Sequence, residues 1–101
     1  MGGEKIIVNV DPDLEDLIPG FLENRVKELE SLRAALGDAN FQGIQSMGHS
    51  MKGVGGGYGF DGITEIGRDL ENAAKSEDAD AIASLIEKYA DYLHRIEVKY
   101  E

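Results

Sequence analysis

From Leu14 onward, apolar side chains recur every three or four residues along the chain. Leu17, Ile18, Phe21, Leu22, Val26, Leu29, Leu32 and Leu36 trace one buried face of a helix. Asp11-Pro12 is a start signal, because an aspartate accepts hydrogen bonds from free N–H groups and proline is tolerated in a first turn. Pro19-Gly20 interrupts the stripe, since proline removes a backbone bond and clashes one turn back, so the pattern predicts a short helix and then a long one, or one kinked helix. Gly37 stops it. Asp38 can cap a second stripe, Ile44, Met47, Met51, Val54 and Tyr58, at alternating spacings of three and four. That stripe runs straight through Gly53, Gly55, Gly56 and Gly57, so a helix is predicted where local propensity alone reads a loop. Four glycines cost such a helix roughly 4 kcal/mol relative to alanine, and something must require them.

A third helix is predicted from about Asp61, burying Ile63, Ile66, Leu70 and Ala74. A last one, from Asp78 or Ala79, buries Ile82, Leu85, Ile86, Tyr89, Leu93 and Ile96. Lys5 to Val10 could pass for a strand, but with no partner run it reads as an extended or packed arm. The expectation is an all-α chain: an antiparallel four-helix bundle with a short N-terminal helix in front, one domain over residues 1–101 with 1–10 as an N-terminal arm.

Composition narrows the chemistry. With 42% hydrophobic residues the chain has material for a core. A net charge of −10 repels a phosphate backbone and an anionic membrane surface, so neither nucleic acid nor membrane is an expected partner. No apolar run approaches the roughly 20 residues that span a bilayer. The start Met1-Gly2-Gly3-Glu4-Lys5-Ile6 lacks the hydroxyl residue of a myristoylation signal, and no signal-peptide core follows, so the cytoplasm is the expected compartment. Without cysteine, chemistry falls to His, carboxylates, Lys or hydroxyls, and only two histidines exist, His49 and His94.

At about 100° per residue, His49 lies opposite the Ile44 to Tyr58 stripe, among Gln42, Gln45, Ser46, Lys52, Gly53 and Gly56. A lone exposed histidine is more often a solvated surface residue, and glycines can serve close helix packing. Here the glycine one turn later removes bulk that would block an approaching protein. An exposed imidazole is in large part neutral and nucleophilic around neutral pH, and Lys52, one turn on, can set an ammonium beside phosphoryl oxygens.

The run Gly48-His49-Ser50-Met51-Lys52-Gly53-Val54-Gly55-Gly56-Gly57-Tyr58-Gly59-Phe60 resembles the signature of histidine phosphotransfer domains, in which Lys-Gly follows the histidine at plus three and plus four, with a further glycine at plus ten. The likeness covers about 90 residues and includes Pro19-Gly20-Phe21-Leu22 and Leu70-Glu71. It implies that His49 accepts a phosphoryl group through its outward ring nitrogen. Lys52 would steady that group, and Gly53, Gly56 and the neighbouring Gln45 would form the partner-facing surface. The triple glycine is richer than usual for the family, and Gly48 stands where alanine is frequent. Glu71 and Lys75, one turn apart on the next helix, either face the site or belong to the solvated bundle surface.

The resemblance implies a phosphorelay carrier rather than an enzyme, taking phosphate from a receiver-domain aspartyl phosphate or a histidine kinase and passing it to another receiver. No Walker-type phosphate loop is present, and the formal Gly57-x-Gly59-x-x-Gly62 match lacks its strand setting. No cofactor is expected on the chain itself; magnesium would come with the receiver. A monomer is the default expectation. Two other readings compete: a receiver-docking module of the same fold that is not phosphorylated, and a metal or haem bundle using His49 and His94. The second fails on count, since Asp91-x-x-His94 is half of a di-iron motif with no second half.

Overall fold

In the computed structural model, which describes residues 4–101, Asp11 opens the helical part of the chain. Its side chain accepts the Asp13 N–H at 2.9 Å, and Pro12 begins a 3-10 helix, Pro12–Leu17, at the place of the expected short helix. Helix α1, Ile18–Gly37, follows directly. Pro19 falls in its first turn, where a missing N–H breaks no internal bond, so the proline separates two helices rather than kinking one.

Asp38 does not cap the next helix. The corner is Asp38-Ala39-Asn40, and Asn40, adjacent to the first free N–H groups, accepts from Gly43 at 3.0 Å to start α2, Phe41–Tyr58. α2 continues unbroken through its glycines and ends at Gly59, whose φ of 86° is the left-handed turn that glycine adopts without strain. α3 spans Asp61–Lys75. α4 spans Ala79–Arg95, with Asp78 accepting the Ala81 N–H at 3.1 Å.

The four helices of the described residues close into a ring: α1 on α2, α2 on α3, α3 on α4, and α4 back on α1. Leu32, Ile44, Met51, Ile63, Leu70, Ile82 and Tyr89 are fully buried between them. Phe21 stacks on Tyr58 and Phe60, at centroid distances of 4.4 and 5.0 Å. On the α1–α4 side, the Tyr89 hydroxyl donates to Glu28 Oε1 at 2.8 Å, and Arg25 lies 3.5 Å from that oxygen and over the Phe21 ring. Burial, with the Glu28 charge beside it, pushes the Tyr89 phenol far above its usual range, so it stays a donor.

Two residues of the first stripe are not in the core. Leu17 is 54% exposed, at the end of the 3-10 helix where the turn changes from 3.0 to 3.6 residues and the phase slips. Val26 is 51% exposed; at about 100° per residue it falls beyond Leu22 at the edge of the stripe, and the stem of Arg25 takes the inward place.

The all-α expectation holds for the helices and fails at the chain ends. Ile6–Val10 forms a strand, β1, which is not an unpartnered arm: it pairs in parallel with β2, Ile96–Tyr100, from Ile6 opposite Ile96 to Val10 opposite Tyr100. Ile96, assigned above to the last helix, is the first residue of β2. β-Branched and aromatic residues alternate through Ile96-Glu97-Val98-Lys99-Tyr100, so the apolar period changes from 3.6 to 2 after Arg95. Val8 and Val10 bury their side chains on the bundle, and the sheet ties the two ends together. The first three residues of the expected arm, including the Gly2-Gly3 part of the acylation reading, lie outside the described residues. No helix among those described is long and apolar enough to cross a membrane.

Candidate functional site

The α2 stripe points inward as its spacing requires: Ile44 and Met51 are fully buried, and Met47, Val54 and Tyr58 pack at the rim of the core. His49 is therefore carried outward, and its side chain is 72% exposed. Gly53, one turn later, is open: a Cβ built there would meet nothing within 4 Å, and at Gly56 it would meet only Thr64 Oγ1 at 3.8 Å. Gln45, one turn before His49, is half-buried.

Lys52 lies beside the histidine, half-buried, its ammonium 2.7 Å from Glu71 Oε1. The other oxygen of the same carboxylate is 3.2 Å from His49 Nδ1. Glu71 comes from α3 and its side chain is only 11% exposed, so one nearly buried carboxylate holds both residues of the surface motif. The Lys52 hydrogen bond holds the Glu71 carboxyl below its ordinary range; burial opposes this, and the Lys52 charge and the His49 contact reinforce it. An ionised carboxylate can only accept, so this contact calls for a hydrogen on His49 Nδ1 and leaves Nε2 as the other nitrogen of the exposed ring.

α2 and α3 approach closely enough for this because small residues meet at their crossing. A Cβ on Gly48 would lie 2.6 Å from the Gly67 carbonyl oxygen and 2.8 Å from the Glu71 nitrogen. One turn along α2, Thr64 Oγ1 donates to the Lys52 carbonyl at 3.2 Å.

The carboxylate is the member that sequence reasoning left undecided between site and surface. Its signal was its phase: Glu71 follows Gly67 by four residues and precedes Ala74 by three, an acidic residue on the small-residue face of α3. Lys75, weighed with it, is exposed in the last turn of α3 and makes none of these bonds. His94 is exposed on α4, and Asp91 pairs with Arg95 at 3.0 Å. Among the described residues, no three His, Asp or Glu side chains converge as a metal site would require.

The family model of the Hpt domain matches residues 16–98, from the 3-10 helix into β2. No curated protein and no solved structure gives a significant match. Hpt domains are phosphocarrier modules of histidine phosphotransfer in phosphorelay signalling, where they interact with receiver domains and kinases. With four of its helices in a bundle and nearly the whole chain matched, this protein belongs to the Hpt domain family.

Proposed function

We propose that the protein carries a phosphoryl group on His49 Nε2 between a receiver-domain aspartyl phosphate, or a histidine kinase, and a second receiver. The observation that carries this reading is the bond from His49 Nδ1 to Glu71 Oε2, which leaves the outward nitrogen as the nucleophile on an exposed ring. Attack of Nε2 on phosphorus forms the N–P bond as the bond from phosphorus to the aspartyl oxygen breaks, and the receiver carboxylate leaves. Nδ1 keeps its hydrogen, so the ring becomes cationic, and the Glu71 carboxylate stabilises that charge from within hydrogen-bond distance.

Lys52 spends one of its three N–H donors on Glu71 and has two for phosphoryl oxygens. Gln45, Gly53 and Gly56 are the surface a receiver would cover. The reverse transfer uses the same geometry. Nucleotide and magnesium belong to the partners in this scheme, and the carrier acts as a cytoplasmic monomer.

The test is transfer from a panel of phosphorylated receivers to wild type, His49→Gln and His94→Gln. Acid-labile, base-stable label should appear on wild type and His94→Gln and vanish in His49→Gln. Receivers that bind the wild type without labelling it would favour the unphosphorylated docking module instead.

A further inference from the structure

We propose that the free edge of β1 is a docking site for an extended segment of a partner protein, with apolar and basic residues in alternation, which joins β1 and β2 as a third strand. The site shares no residue with the cluster of His49, Lys52 and Glu71, and the inference stands apart from the phosphoacceptor reading.

The hydrogen bond from the Glu101 N–H to the Val10 carbonyl oxygen, 3.1 Å, fixes which way β1 faces. In a parallel ladder the N–H and C=O of one residue point to the same neighbouring strand, and successive residues alternate. With Val10 opposite Tyr100, the backbone groups of Ile6, Val8 and Val10 serve β2, and those of Ile7 and Asn9 point away from it. Among the described residues, no other backbone group bonds to those of Ile7 and Asn9. The Asn9 carbonyl oxygen lies 3.4 Å from a Cβ built on Gly59, so this edge looks toward the corner between α2 and α3.

A groove of about 610 Å³ runs along it. Ile6, Ile7, Val8 and Asn9 border the groove in succession, as a strand edge does; a groove on one face of β1 would meet every second residue. Ile66 and Tyr92, both buried, form its floor. At a rise of about 3.3 Å, with about 4.8 Å between strands and about 10 Å between layers, one strand residue occupies roughly 160 Å³. The space therefore suits a segment of about four residues. Nothing in the edge itself discourages pairing: Ile6 to Asn9 holds no proline and no charge, and the Ile7 side chain is 51% exposed.

Charge selects the occupant. On the α4 wall Asp91 pairs with Arg95 at 3.0 Å, and the Arg95 Nε–H donates to the Glu4 carbonyl at 2.8 Å, which leaves Lys88 there. On the α3 wall Asp61 and Glu65 are exposed and enter no ion pair among the described residues. Two uncommitted carboxylates in a chain of net charge −10 favour a segment that carries lysine or arginine. A second copy of this chain fits less well, because it brings another −10 and its own β1 edge has no cation to set against Asp61 and Glu65.

The experiment titrates the isotope-labelled full chain with the peptide acetyl-Val-Lys-Val-Lys-Val-amide and follows the backbone amides by NMR. The Ile7 and Asn9 amides should shift and become protected from exchange, with half-saturation below about 1 mM. Ile7→Pro removes an N–H that points away from β2, so the β1–β2 ladder should survive while the peptide binds at least about 10-fold more weakly. Glu65→Lys, which leaves the strand untouched, should weaken this peptide and favour its counterpart with glutamate in place of lysine.

The proposal is overturned if the Ile7 and Asn9 amides do not respond, if Ile7→Pro binds as wild type does, or if the acidic peptide binds wild type equally well. Loss of the β1–β2 ladder in Ile7→Pro would show that the edge is assigned to the wrong side. Shifts of the same amides with protein concentration alone would make a second copy the occupant and overturn the choice of partner.

Discussion

On the α3 side of α2, Gly48 and Gly55 sit so near neighbouring backbone that a methyl group would overlap it; on the outer side, Gly53 and Gly57 have open space where a side chain would be. The same residue type thus does two different things within one helix. The crowded pair lets two helices touch, and the open pair costs helix stability where nothing packs against it. Glycine count in a sequence therefore says little until each position is placed against its neighbours.

Alanine at the crowded positions gives the largest expected effect on stability. Gly48→Ala and Gly55→Ala should each lose about 1–3 kcal/mol in urea unfolding, through overpacking against backbone that cannot yield. Wild-type stability in either would break the contrast.

The α1–α4 side extends the comparison, because its helices are held by a long polar reach rather than by close backbone contact. Tyr89→Phe removes the hydrogen bond to Glu28 and should lower stability by about 1–2 kcal/mol, measured in the same way.

Smaller and opposite in sign, Gly53→Ala and Gly57→Ala should each stabilise the protein by about 0.5–1 kcal/mol, since alanine gains helix propensity where there is room for it. A loss of stability at either would show that the outer face is not open.

The subtlest expectation concerns pH. The Glu71 pKa is lowered in the folded protein, so the stability this group contributes is complete above the ordinary carboxylate range and is lost as pH falls through the lowered value. Glu71→Gln should flatten the acid limb of the curve of stability against pH, and the wild-type and variant curves should run parallel below it.

Much of this molecule was legible beforehand because its signals are local. The stripe from Ile44 to Tyr58 predicts both the continuous α2 and the outward face of His49, since a helix of fixed pitch leaves no other choice. Asp11 caps as read, because a capping oxygen serves N–H groups two or three residues away, and Asp78, read only as a possible first residue of the last helix, caps it in the same way. Asp38 failed on the same rule, since Asn40 stood closer to the helix start. Val26 failed because position on a stripe marks a direction, and the packing of neighbouring helices decides how wide the buried arc is.

By itself, then, the sequence determined the helices, their inward faces and the exposed histidine with its lysine, all consequences of spacing along one segment. Only the tertiary structure decided the rest. β1 acquires its partner from the far end of the chain, and no local pattern names a strand so distant in sequence. Glu71 becomes the hinge of the site because α2 and α3 approach at Gly48 and Gly67, and the distance between two helices is set by the side chains that are missing from both.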